Sequence, residues 1–357
     1  MGEGARPKTR PGGFDILPAY LMASNLTTRC TSLLLVSHHP YTPFVVCGKE
    51  DGDVVMFTSD KTLRWAKNES CFHSPVTVLA HGRFTDDESD DLIAVSADGQ
   101  LQIMNIDYEA VHIDTIFTQL IHANIAAGLI SDVDRDGHNE LVVMMTDRVV
   151  RTFSWCPEQC RLIPRNKWEV PAQISSFSVG ECQNRQQEAW LSQTGNNRQY
   201  VAIRFSGDHS VTMSDSPTDK SAVFLPYRAD LVYIMGTVVS TVVVYVNQKE
   251  RRLRSPSQAG IIACSVIRLR SMVVVVTVDV DSNCFLYAYN ERQSTEIDPV
   301  ARVVVQREVC KVTMATNEGR TEDLDCLFIL ASNRIDRVVT YSIPLRDIET
   351  RFSANVH

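Results

Sequence analysis

Apolar residues in this chain gather in short runs split by small polar turns, and the arrangement recurs along its length. Val45-Val46-Cys47-Gly48 leads through Asp51-Gly52 to Val54-Val55-Met56-Phe57. Ile93-Ala94-Val95-Ser96 leads through Asp98-Gly99 to Leu101-Gln102-Ile103-Met104, and Val142-Val143-Met144-Met145 through Asp147-Arg148 to Val149-Val150-Arg151-Thr152-Phe153. Looser copies begin at Ala189, Leu231, Val274 and Leu327. Successive first residues are 48, 49, 47, 42, 43 and 53 positions apart. Apolar runs joined by Asp-Gly or Asn-containing turns are β-hairpins, because such turns need residues that tolerate positive φ. A further apolar run precedes each clear hairpin, as at residues 76–80, 125–130 and 174–179, and another follows, as at 61–65 and 166–170.

Four short strands per repeat of roughly 40–50 residues is the period of a propeller blade. The chain therefore predicts an all-β fold, a seven-bladed β-propeller with four-stranded antiparallel blades. Its hairpins should lie near residues 45–57, 93–105, 142–154, 189–203, 231–245, 274–289 and 327–342. One propeller would occupy residues 14–357, behind a flexible lead at 1–13 that carries Pro7, Pro11, Gly12 and Gly13. Two β-sandwich domains would explain the alternation but not the near-constant step. Ring closure is expected from residues 14–21 acting as a strand on the last blade, beside residues 346–352.

Composition narrows the function classes. Hydrophobic residues make up 44% of the 357 and charged residues 22%, which suits a folded chain rather than a disordered one. Lys and Arg number 35 against 43 Asp and Glu, a formal charge of −8, so nucleic acid is not an expected partner. No run approaches the ~18 apolar residues of a membrane helix. The start has no signal-peptide core, and the ten cysteines are therefore expected to be reduced thiols in the cytosol. Cys47, Cys264 and Cys284 sit in apolar runs and read as small hydrophobes.

The sharpest motif is Asp132-Val133-Asp134-Arg135-Asp136-Gly137-His138-Asn139-Glu140. Carboxylates at loop positions one, three and five converge if the backbone turns at Gly137. The His138 carbonyl and the Glu140 carboxylate, at positions seven and nine, can complete an oxygen cage. Hard oxygen ligands suit Ca²⁺ or Mg²⁺ rather than zinc. An EF-hand opens in the same way, but needs a Glu where Val143 stands and helices where strands are expected. An acidic turn that holds its own amides without a metal is the other reading. The second repeat has Arg83, Thr85, Asp87 and Asp91 at positions one, three, five and nine, with Glu88 at the glycine, and should not bind a cation. Enzyme motifs are lacking: the chain has no Gly-rich phosphate loop, nucleophile elbow or zinc-protease helix motif. The expectation is a non-enzymatic protein that requires no cofactor, with one Ca²⁺ ion at this loop as the candidate ligand.

An apolar strand, Asp-x-Asp-x-Asp-Gly-x-x-Glu-Leu and paired valines together resemble an FG-GAP repeat of integrin-α type propellers. The longer stretch, from Leu129-Ile130-Ser131-Asp132 through Thr146-Asp147-Arg148-Val149-Val150 to Trp155, resembles a narrower cytosolic branch of that family. Leu92-Ile93-Ala94-Val95-Ser96-Ala97-Asp98-Gly99, Lys167-Trp168 and the stretch from Val303-Val304-Val305-Gln306 to Cys326-Leu327-Phe328 add to the likeness. The resemblance implies a scaffold subunit of a KICSTOR-like complex, with the other subunits and a GATOR complex as partners. It implies a cytoplasmic protein brought to the lysosomal membrane through partners, where TOR complex signalling is restrained when amino acids or glucose are scarce. The alternative is a Ca²⁺-dependent, integrin-like adhesion propeller, which would call for several intact acidic loops.

Overall fold

In the computed structural model of the chain, the apolar runs of the repeat are strands wherever their residues are described. The structure describes residues 14–356, apart from 17–19, 27, 37–42, 59–64, 69–70, 86–88, 182–186, 194–198, 206–209, 216–220, 228–231, 238–240, 247–248, 270–271, 291–295, 317–325, 334 and 336. Among the described residues the strands form seven sheets of four or five strands. Blade one comprises Cys30–Val36, Phe44–Lys49, Val54–Thr58 and Trp65–Lys67. Blade two comprises Val76–Gly82, Asp91–Ser96, Gln100–Asp107 and His112–Leu120. Blade three comprises Ile125–Ser131, Glu140–Met145, Val149–Cys156 and Arg161–Glu169. Blade four comprises Ile174–Glu181, Gln187–Gln193, Gln199–Arg204 and Val211–Asp215.

Blade five comprises Ser221–Tyr227, Val232–Thr237, Thr241–Val246 and Lys249–Arg254, with Glu296–Ile297 added parallel to the last. Blade six comprises Ile261–Leu269, Met272–Asp279, Cys284–Tyr289 and Ala301–Val303. Blade seven comprises Val309–Thr316, Cys326–Asn333 and Arg337–Pro344. The second and third strands of every sheet pair antiparallel. The fold is thus the all-β propeller that the alternation of apolar and turn residues predicts.

Neighbouring blades meet mainly through their first strands, and Val309–Thr316 of blade seven lies against Cys30–Val36 of blade one, so the ring is closed. The apolar cores sit between blades rather than within them. Val46, Met56 and Phe72 of blade one pack with Val76, Leu92 and Met104 of blade two. Val142, Met144 and Trp168 of blade three pack with Leu191, Val201 and Phe205 of blade four. A blade alone would leave one of its apolar faces in water, so the blades depend on one another. Cys47, Cys264 and Cys284 are buried in these cores, as small hydrophobes should be.

All seven first strands carry a register shift at their second residue: Thr31, Thr77, Ala126, Ser175, Ala222, Ile262 and Cys310. A bulge leaves one residue unpaired and turns it out of the ladder. In blade one the released Thr31 hydroxyl donates to the carbonyl of Val76 in blade two at 2.6 Å. In blade two the Thr77 hydroxyl donates to the carbonyl of Ile125 in blade three at 3.0 Å. Lys311, next to the bulge of blade seven, donates through Nζ to the carbonyl of Thr31 across the closing seam. At these three seams the bulge, or the residue beside it, latches one blade to the next.

Closure corrects the sequence expectation in its details. The strand that completes blade seven is Tyr20–Asn25, antiparallel to Arg337–Pro344 from Tyr20 opposite Ser342 to Asn25 opposite Arg337. Phe14–Ile16 instead runs parallel to Ala301–Val303 on the edge of blade six. Residues 346–352 lie in a helix, Leu345–Val356, and are not a strand beside the closing one. Its Leu345 and Ile348 are buried in the core between blades six and seven, with Phe352 packed against it. That spacing of three and four matches a helical face, and it explains why the chain leaves the sheet at Pro344. The lead at 1–13 lies outside the described residues. No helix among them is long and apolar enough to cross a membrane.

Candidate functional site

The acidic loop joins the first two strands of blade three, leaving at Ser131 and returning at Glu140, which are register partners. Two left-handed residues fold it back on itself: Arg135 at φ 68° and Gly137 at φ 97°. The turn directs backbone amides inward, and the aspartates take them up. Asp132 accepts from the amide of Arg135 at 2.7 Å through Oδ1 and from that of Gly137 at 3.2 Å through Oδ2. Asp134 Oδ1 accepts from Asp136 N at 3.2 Å, and Asp136 Oδ1 from His138 N at 2.8 Å. These short Asx turns are what Asp does best in loops. The side chain of Asn139 donates to the carbonyl of Arg83 at 2.7 Å, tying the loop to its counterpart in blade two.

The structure brings three of the four predicted side-chain ligands together. One carboxylate oxygen from each of Asp132, Asp134 and Asp136 lies within 4.8 Å of the other two. His138 is exposed and enters the loop's bonding through its amide. Glu140 is set apart, only 3% exposed at the head of its strand. Its Oε2 accepts from the amide of Val133 at 2.9 Å, and its Oε1 lies 3.4 Å from the Ser154 hydroxyl, which donates to it. Burial raises its carboxyl to about 7, against the Val133 hydrogen bond, and the charges of Asp134, Asp136 and Asp132 push the same way as burial. A hard cation fits the three aspartates, since Oδ2 of Asp134 and of Asp136 is not used on the loop's amides. Ca²⁺ ordinarily takes six to eight oxygens, so water would have to complete the shell.

The loop of blade two, between Gly82 and Asp91, shows what Glu140 does. Asp91 is the register equivalent of Glu140 and is likewise 3% exposed. Its Oδ2 accepts from the Thr85 amide at 2.7 Å and the Thr85 hydroxyl at 2.8 Å. Both loops are thus clamped by an acidic residue at the start of the second strand. The sequence carried the signal: Asp91 persists in a loop where Arg83 and Thr85 replace the aspartates, and a ligand would have no purpose there.

Against known proteins, the family model described as integrin-alpha FG-GAP repeat-containing protein 2 matches residues 59–241, just over half of the chain. KICSTOR complex protein ITFG2 of Mus musculus is 32% identical over 155 residues, covering 38% of this chain and 34% of that protein. The protein of the same name from Bos taurus is 30% identical over 155 residues, covering 38% and 29%. The chain thus spans about a third of the length of the curated relatives it matches. Among solved structures, BBS1N in complex with ARL6DN, soaked with mercury, superposes with a TM-score of 0.64 at 12% identity, over 92% of this chain and 96% of that one. Sqt1 of Saccharomyces cerevisiae gives 0.61 at 10% identity, over 93% and 99%. At such identities the shared property is the fold.

Proposed function

Since the chain belongs to the integrin-alpha FG-GAP repeat-containing protein 2 family, we propose that it is a non-enzymatic scaffold subunit of a KICSTOR-like complex. In this reading it works in the cytoplasm and reaches the lysosomal membrane through partners, helps recruit a GATOR complex there, and restrains TOR complex signalling when amino acids or glucose are scarce. The family match across blades two to four carries the reading, and the relatives named as KICSTOR complex proteins support it.

The architecture suits such work. Cores shared between neighbouring blades and hydroxyl latches across their seams make a stiff ring whose loops and outer edges are held in fixed relative positions. Rigid presentation lowers the ordering cost of binding several partners at once. Cation binding is secondary in this reading: Asp132, Asp134 and Asp136 would hold Ca²⁺, with the His138 carbonyl as a further oxygen, and the ion would stiffen the loop without taking part in chemistry.

Affinity purification of the tagged full chain from cells, with and without amino acids, tests the proposal. Recovery of the other KICSTOR-like subunits in stoichiometric amounts is the expected result. Their absence under both conditions would overturn it.

A further inference from the structure

A propeller exposes the fourth strand of each blade as a sheet edge, a row of unpaired backbone groups ready to pair with another chain. Most edges here are visibly managed. Among the described residues the outer strands of blades one and four, Trp65–Lys67 and Val211–Asp215, are short. The outer strand of blade three carries Pro164 and exposes Arg161, Arg165, Lys167 and Glu169. Blades five and six have each taken on an extra short strand, Glu296–Ile297 beside Lys249–Arg254 and Phe14–Ile16 beside Ala301–Val303. The edge of blade seven, Tyr20–Asn25, is uncharged but only six residues long.

Blade two differs. Its outer strand, His112–Leu120, is nine residues long, has no proline, lysine or arginine, and is uncharged from Thr115 to its end. Among the described residues no further strand pairs with it. A register shift leaves Ile116 without a partner on the strand inside it, and Ile116 is 56% and Leu120 73% exposed along this edge. The strand is also held firmly in place. Phe117 meets Trp155 of blade three edge-on at 5.0 Å. The side chain of Gln119 donates through Nε2 to the Leu162 carbonyl at 3.1 Å and accepts through Oε1 from the Leu162 backbone amide at 2.8 Å. A rigid, bare and partly apolar edge is the kind that binds an extended peptide by strand addition.

We propose that the outer edge of blade two docks an extended segment of a partner protein as a fifth strand, with apolar side chains over Ile116 and Leu120 and a carboxylate toward Arg161. The chain's own added strands on blades five and six show that its outer strands accept such an addition. Charge selects the occupant: Arg161 is exposed one residue before Leu162, which Gln119 grips, and favours an acidic flank. The inference rests on this edge and holds independently of the scaffold reading.

The test is selection of random dodecapeptides displayed on phage against the full chain, followed by anisotropy with synthetic copies of the enriched peptides. Enriched peptides should alternate apolar residues, carry an acidic flank and lack internal proline. Ile116→Lys with Leu120→Lys should weaken them at least ten-fold with unchanged melting, because both residues are exposed. Arg161→Glu should weaken them three-fold or more. A peptide N-methylated at alternate amides should lose binding, since strand addition needs those donors. Failure to enrich any peptide dependent on Ile116 and Leu120, or equal binding of the N-methylated peptide, would overturn the proposal. So would sedimentation showing a wild-type dimer that the double substitution makes monomeric, which would assign the edge to a second copy.

Discussion

The loops opening blades two and three share one skeleton and differ in what fills it. In each, the first strand ends beside the residue that begins the second, Gly82 opposite Asp91 and Ser131 opposite Glu140, and that residue's buried carboxylate grips a loop amide. Blade three then adds Asp132, Asp134 and Asp136, whereas blade two has Arg83 and Thr85 at the first two of those positions. The difference separates two roles that ligand spacing alone merges. The carboxylate at position nine builds the loop, and the three aspartates decorate it.

Removing the shared part should have the largest effect. Asp91→Ala and Glu140→Ala each leave a loop amide without its acceptor, and a hydrogen bond to a charged group contributes about 1.5–3 kcal/mol. Both substitutions should lower stability by about 2 kcal/mol in denaturant unfolding. Glu140→Gln should recover most of that loss, because its carbonyl can still accept from Val133 while the buried charge is gone. A Glu140→Ala variant as stable as the wild type would break the equivalence of the two loops.

This division was only partly legible in the sequence. The propeller was, because Asp51-Gly52, Asp98-Gly99 and Asp147-Arg148 place positive-φ turns between alternating runs, and Gly52, Gly99 and Arg148 do take positive φ. The three aspartates were legible as well, since alternate residues before a turning glycine converge. The direction of the Glu140 carboxylate was not, because spacing does not say whether a side chain turns toward the loop's centre or back onto its amides. The seven bulges were hidden too: Thr31, Thr77, Ala126, Ser175, Ala222, Ile262 and Cys310 share no chemistry. Closure depends on which apolar stretch finds the last blade, and residues 14–16 and 20–25 both pair as edge strands, on different blades.

A smaller effect isolates the backbone of the blade three loop. Gly137 sits at φ 97°, and a Cβ there would meet nothing within 4 Å. Gly137→Ala therefore costs only backbone strain, about 1 kcal/mol. A loss above that of Glu140→Ala in the same unfolding assay would mean that the turn, and not the clamp, holds this loop together.

The smallest effect belongs to the aspartates themselves. Asp134 is exposed, and its one bond within the loop is to the amide of Asp136 at 3.2 Å. Replacing it with alanine also removes a like charge from beside Asp132 and Asp136, so the two changes offset each other. Without divalent ions, Asp134→Ala should shift stability by less than about 0.5 kcal/mol, as surface substitutions usually do. Calcium then separates the two loops. With three carboxylates and water for the remaining positions, wild-type binding should be weak, with a Kd on the order of 10⁻⁴–10⁻³ M. Calorimetry should register that heat for the wild type and lose it for Asp134→Ala. Asp91→Ala, in the loop without the cluster, should leave it unchanged. Two identical flat traces would make the blade three loop an amide-capped turn like its neighbour.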